Sequence, residues 1–232
     1  MAILSKAAYD FYFGDHQLAK EELEAYGLPY RFDEEHSDTN SVTIIKSDGS
    51  AVISYRGTDF SNPSDLLADF QILSGVHSNP WMQQMNAMNR FEEANSKFLK
   101  VKERYGEPKL TGHSLGGTQA LNVARKNNGN AIIFNPGSSP LAEPFHYLLN
   151  NDKPQTIYTT GDDLISYSSL FGNDNVIIVP RKNKDQYYSH SLVNFLPARV
   201  TKSEPPRYLD GINIDTRERI KICELFPELC NF

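Results

Sequence analysis

Thr111-Gly112-His113-Ser114-Leu115-Gly116-Gly117 contains the spacing Gly-x-Ser-x-Gly. A serine hydroxyl is a weak nucleophile, and it becomes useful when a tight strand-to-helix turn holds its oxygen clear of the backbone. Such a turn crowds the main chain, so residues without a Cβ suit the positions two before and two after the serine. The helix that follows aims its free amides at the same point, and the N–H of Leu115 can donate to a developing oxyanion. Ser114 is therefore the candidate nucleophile. The competing reading is a tight structural turn.

A nucleophilic serine needs a base, and the base needs an orienting carboxylate. The Gly-x-Ser-x-Gly turn resembles the elbow of the α/β-hydrolases, and that resemblance implies their order, in which the acid and then the histidine follow the serine in the chain. The histidines are 16, 36, 77, 113, 146 and 190. His113 lies inside the turn itself, and His146 precedes the strand whose end offers acids. His190, in Tyr187-Tyr188-Ser189-His190-Ser191, alone follows both late strands and is the candidate general base. Asp162 and Asp163 sit just past a strand end, where the acid belongs. Asp174 and Asp185 fit less well, and position alone does not separate Asp162 from Asp163.

The elements that must carry these residues are legible from periodicity. Helices are expected over Ile3–Phe13 and Leu18–Tyr26, the second stopped by Gly27 and Pro29. Ser41–Lys46 and Ala51–Arg56 read as strands joined across Ser47-Asp48-Gly49-Ser50, a hairpin. Trp81–Lys102 is the longest helical candidate. Leu110-Thr111 ends a short strand, Gly117–Lys126 is a helix closed by Asn127-Asn128-Gly129, and Ala131–Phe134, Thr156–Thr160 and Val176–Val179 are strands. Short apolar strands alternating with helices predict an α/β class fold, a mostly parallel central sheet with helices on both faces. Residues 1–200 are expected to form this domain, and 201–232, richer in charge and proline, a C-terminal extension docked on it.

Taken together, these motifs resemble the class 3 lipase family of the α/β-hydrolase superfamily, over roughly residues 50–195. Val52-Ile53-Ser54-Tyr55-Arg56-Gly57-Thr58 resembles the family's strand ending in an Arg-Gly-Ser/Thr oxyanion loop, and Asp65–Phe70 is similar to the acidic segment after it. Val76-His77-Ser78 resembles the stretch before the family's long helix, and Leu110–Gly117 matches its Thr-Gly-His-Ser-Leu-Gly-Gly elbow. The resemblance implies that Thr58 and Leu115 supply the oxyanion donors. It also favours Asp163 over Asp162, because Asp163-Leu164-Ile165-Ser166 fits the family's acid followed by a small apolar pair. No metal or organic cofactor is implied. The implied substrate is a lipid ester, an acylglycerol or a phospholipid cut as by a phospholipase A1, with transient contact at a lipid interface. An acyltransferase or thioesterase using the same three residues is the alternative activity, and a non-catalytic lipid-binding relative is the alternative class.

Composition bounds the rest. The chain has 232 residues, 39% hydrophobic and 22% charged, which excludes wholesale disorder. Lys and Arg total 23 against 29 acidic residues, a net charge of −6. That balance argues against nucleic acid as a partner. Phe70–Asn89 is free of charge but rich in Gln, Asn and Ser, and it fails as a membrane span. The N-terminal stretch has no basic cluster followed by an apolar run, so a cytoplasmic location is expected unless a leader was removed. Cys223 and Cys230 are expected as free thiols. Met82, Met85 and Met88 form one soft stripe expected to pack on the sheet, Phe60–Asn79 is the segment suited to a movable cover, and the 201–232 tail could end in an amphipathic helix.

Overall fold

Alternation along the strands decides the architecture. In Ala51–Tyr55, Val52 faces one apolar cluster while Ile53 and Tyr55 face another. Ile44 and Ile45 divide in the same way, as do Phe134 and Ile133, and Tyr158 and Ile157. A sheet with both faces apolar must be covered on both. The structure, a computed structural model, describes residues 1–12, 16–28, 30–58, 89–137, 153–163, 165–166, 174–182 and 189–196.

Seven strands form one sheet in chain order: β1 (Arg31–Asp33), β2 (Ser41–Ile45), β3 (Ala51–Tyr55), β4 (Lys109–Ser114), β5 (Asn130–Pro136), β6 (Thr156–Thr159) and β7 (Asn175–Ile178). The first three pair antiparallel, and β3 to β7 run parallel. Helices α1 (Ala2–Tyr12) and α2 (His16–Ala25) pack on one face against Val42, Ile44, Val52, Phe134 and Tyr158. Helices α3 (Asn89–Tyr105) and α4 (Leu115–Asn127) pack on the other, where Phe98 and Val101 meet Ile53, Leu110 and Ile133. This is the architecture of an α/β-hydrolase: a mostly parallel sheet, helices on both faces and a strand-turn-helix at its centre.

Where the structure describes them, the expected elements occur with adjusted ends; residues 81–88 of the longest helical candidate lie outside the described residues. The hairpin turns as expected: Asp48 Oδ1 accepts from the Ser50 N–H at 2.9 Å and from its hydroxyl at 2.6 Å. At the end of α4 the left-handed position falls on Asn128, with φ 53°, while the Gly129 N–H returns to Ala124 O at 2.8 Å. Two of the shifted boundaries bear on the Ser114 turn. Strand β4 runs on to Ser114 instead of ending near Thr111, and α4 begins at Leu115 instead of Gly117. Gly116 and Gly117 have low helix propensity, but the close approach they permit outweighs it. The edge strand β1, followed by a 3-10 turn at Glu34–His36, was not expected; three residues are too few for a period to show.

The methionine stripe, the Phe60–Asn79 segment, both cysteines and the 201–232 extension lie outside the described residues. Among the described residues, no helix is long and apolar enough to cross a membrane.

Candidate active site

Parallel pairing brings the C-terminal ends of β3 to β7 to one edge of the sheet, the edge where open α/β sheets bind ligands. Ser114 closes β4 there with φ 57° and ψ −127°, a left-handed conformation costly for a residue with a Cβ. The turn is over-determined by its surroundings. The β4–β5 register shifts between His113 and Ser114. The Ser114 carbonyl accepts from the Gly137 N–H and the Thr118 hydroxyl, both at 3.3 Å. At Gly116 an added Cβ would overlap the Tyr55 carbonyl, and at Gly112 it would overlap the backbone of Gly116. The two glycines of the motif are thus where β3, β4 and α4 touch backbone to backbone.

Ser114 occupies the N-cap of α4, where a serine usually bonds back to the helix amides. Its side chain makes no such bond. The Oγ lies instead 2.7 Å from His190 Nε2, and His190 Nδ1 lies 2.6 Å from Asp163 Oδ2. A carboxylate accepts, so Nδ1 carries the proton. Nε2 then offers its lone pair to the serine O–H. Asp163 is buried, and burial pushes its pKa up. The His190 hydrogen bond and charge, the Ser166 hydroxyl at 2.6 Å and the Ile165 N–H at 3.1 Å outweigh that and hold it below the ordinary carboxylate value. Asp162, the other candidate, turns its carboxylate away to Arg181 Nε at 2.7 Å and stays solvated. Asp174, the weaker candidate, pairs with Arg125 at 2.7 Å at the opposite end of the sheet.

The histidine loop is held by side chains whose role sequence reasoning missed. The Ser189 carbonyl accepts from Asn135 Nδ2 at 2.9 Å, Thr160 Oγ1 at 2.5 Å and Asn194 Nδ2 at 3.3 Å. Asn135 is fully buried with φ 38°, and its Oδ1 accepts the Thr160 N–H at 3.0 Å. The signal in the sequence is an asparagine before Pro136 at a strand end, which reads as an ordinary turn. In the sequence His113 likewise stands only as part of the elbow motif. Its Nε2 lies 2.6 Å from the His190 carbonyl and its Nδ1 3.0 Å from the Tyr9 hydroxyl.

Thr58 follows β3 at this edge, half-buried. The carbonyls before it are pinned: Arg56 donates from Nη1 to Gly57 O at 2.7 Å, and Arg90 donates from Nη2 to Arg56 O at 3.2 Å. Arg56 is itself buried, with its guanidinium 3.9 Å from the Tyr12 ring centroid. Leu115, buried, opens α4 beside this segment, since Gly116 abuts Tyr55.

Among the described residues, Asp33, Glu35 and His36 form one cluster with the atoms to hold a cation. Asp33 already accepts from Tyr105 at 2.7 Å, His36 at 2.9 Å and the Glu35 amide at 3.2 Å, so it serves as the cap of its turn.

No protein-family model and no curated protein matches the chain. Among solved structures it is similar to a fungal lipase in complex with an inhibitor, described as a model for interfacial activation. The identity is 16%, with 71% of this chain and 70% of that chain covered and a TM-score of 0.41. It is also similar to the Lip2 lipase of Yarrowia lipolytica, at 15% identity, 70% and 69% coverage and a TM-score of 0.40.

Proposed function

We propose that this chain is a serine hydrolase of the class 3 lipase kind, which cleaves carboxylic esters of lipids through an acyl-enzyme. The observation that carries the reading is the unbroken chain from the strained Ser114 through His190 to Asp163, at 2.7 and 2.6 Å. An N-cap serine that forgoes capping, tied to an imidazole whose far nitrogen is held by a buried carboxylate, has no structural need of that arrangement.

The steps follow from the protonation states. The Ser114 oxygen attacks the ester carbonyl as its proton passes to His190 Nε2. The imidazolium that forms is stabilised by Asp163, which stays ionised. The N–H of Leu115, with the backbone N–H and hydroxyl of Thr58, receives the negative charge on the carbonyl oxygen; each such donor contributes about 3–4 kcal/mol to the transition state. His190 then returns its proton to the leaving alcohol oxygen as the C–O bond breaks. Water, deprotonated by the same imidazole, repeats the sequence and releases the acid and the free serine.

A fluorophosphonate probe and a panel of short-chain esters, triacylglycerols and phospholipids test this directly. The wild-type chain should be labelled at Ser114 and release fatty acid, and Ser114→Ala should lose both. Labelling without release of acid from any ester, but with acyl transfer to an added alcohol or cleavage of a thioester, would favour the acyltransferase or thioesterase. Absence of labelling in folded protein would leave a lipid binder.

A further inference from the structure

Helix α1 covers the sheet, yet one of its side chains reaches the catalytic edge. The Tyr9 hydroxyl lies 3.0 Å from His113 Nδ1, and His113 Nε2 lies 2.6 Å from the backbone carbonyl of His190. A carbonyl can only accept, so the proton of the neutral His113 ring is on Nε2. Its Nδ1 is then a lone pair, and the Tyr9 hydroxyl must be the donor to it. His113 is buried and neutral: burial first, and then the neighbouring His190, push its pKa down to about 3, against a weaker opposite pull from the His190 carbonyl and Asp163. The hydroxyl of Tyr9 also occupies the space beside the Gly57 Cα, where any Cβ would overlap it. One hydroxyl therefore touches both the segment leading to Thr58 and the elbow histidine.

The two carbonyls at the start of the base loop are held separately. Ser189 O is taken by Asn135, Thr160 and Asn194, and His190 O by His113. The first bond set fixes where the loop arrives. The second fixes the peptide plane of His190 itself, and so the reach of its imidazole to Ser114. We propose that Tyr9 and His113 are positioning residues: Tyr9 holds His113 in the tautomer whose Nε2–H anchors the His190 backbone at bonding distance from Ser114. The inference rests on the hydrolase reading above, but it concerns atoms that reading does not use.

Steady-state kinetics on a water-soluble ester, with Tm recorded for each variant, provide the test. Tyr9→Phe removes one hydrogen bond and should lower kcat about tenfold with KM unchanged and the fold intact. His113→Gln keeps a donor toward the His190 carbonyl and should retain kcat within about threefold, whereas His113→Leu should lose about a hundredfold, as expected for a small displacement of a reacting group. In the His113→Leu background Tyr9→Phe should add little, because its effect passes through His113. An unchanged kcat in Tyr9→Phe, an equal loss in both backgrounds, or a loss confined to KM or matched by a fall in Tm would overturn the proposal. If His113→Leu does not fold, His113→Gln and Tyr9→Phe still decide it. Nitrogen NMR of the His113 ring in the full chain needs no turnover: it should show Nε2 protonated and Nδ1 bare, and the reverse tautomer would refute the strut. A chain with that tautomer but no ester turnover or labelling would instead defeat the hydrolase reading alone.

Discussion

Two adjacent carboxylates at the end of β6 differ in everything that matters to chemistry. Asp163 is buried, accepts from His190, Ser166 and Ile165, and stays ionised; Asp162 is solvated against Arg181. Asp163→Asn should therefore lower kcat by about 10⁴, because an amide can donate to the imidazole and favour the wrong tautomer. Asp162→Asn should stay within a few-fold, since an exposed pair contributes little. Parallel kinetics on one soluble ester check the ranking. His113 makes a second prediction at this scale. Its folded pKa of about 3 lies below its ordinary 6.5, so the unfolded chain binds the extra proton between those values. The stability it contributes is full above about pH 6.5 and is lost as pH falls toward 3. Asp163, also depressed, contributes above the ordinary carboxylate value, and that contribution is lost only at still more acid pH, through its folded value. Tm should thus fall from pH 7 to pH 4, and it should fall less in His113→Gln; equal slopes would contradict the burial of a neutral ring.

The strand-turn-helix of β4 and α4 depends on contacts between backbones. Tyr55 pairs with Gly112 across the parallel β3–β4 ladder, and Gly116 then lets the start of α4 rest on the Tyr55 carbonyl. Gly116→Ala places a methyl group inside that carbonyl, and neither partner is a flexible side-chain end. The expected result is destabilisation of about 1–3 kcal/mol in urea titration, the range of overpacked sites, together with loss of probe labelling at Ser114. Helix propensity alone would predict the opposite sign, since alanine is the better helix former by about 1 kcal/mol. The experiment therefore separates close packing from propensity as the reason for the glycine. Helix α1 is fastened to the same strand by the Ser5 hydroxyl, 3.0 Å from that of Thr111, which places Tyr9 one turn further along toward the elbow.

Across the whole molecule, the two ends of the parallel strands carry different work. The C-terminal edge gathers Thr58, Ser114, Asp163 and His190. The N-terminal edge is knit by Asp174, which accepts from Arg125 at 2.7 Å and from the Gln155 N–H at 2.7 Å, while Gln155 Oε1 accepts the Ala131 N–H at 2.7 Å. Arg125 and Asp174 are both buried enough for a broken pair to leave an uncompensated charge. Asp174→Ala should lower unfolding stability by about 3–5 kcal/mol. Below the melting transition its kcat should match the wild type, because the change lies a full strand length from the serine. A fall in kcat at a temperature where the variant is folded would show that the two edges are coupled.

The sequence by itself determined the tight turn at Ser114, the helix–strand alternation and the two-faced sheet, because each is written in neighbouring residues: a glycine spacing, short continuous apolar runs, a period near four. It also narrowed the candidates for a base to His190 by order along the chain. It could not separate Asp162 from Asp163 by position, since both directly follow the same strand and the difference lies in which way each side chain points. Nor could it find Tyr9, Asn135 or Thr160. Tyr9 and His113 are 104 positions apart, and Asn135 and Ser189 are 54 apart. Such pairs exist only once parallel strands bring distant loops to one edge, and no local pattern marks a hydroxyl or an amide for a partner that far away.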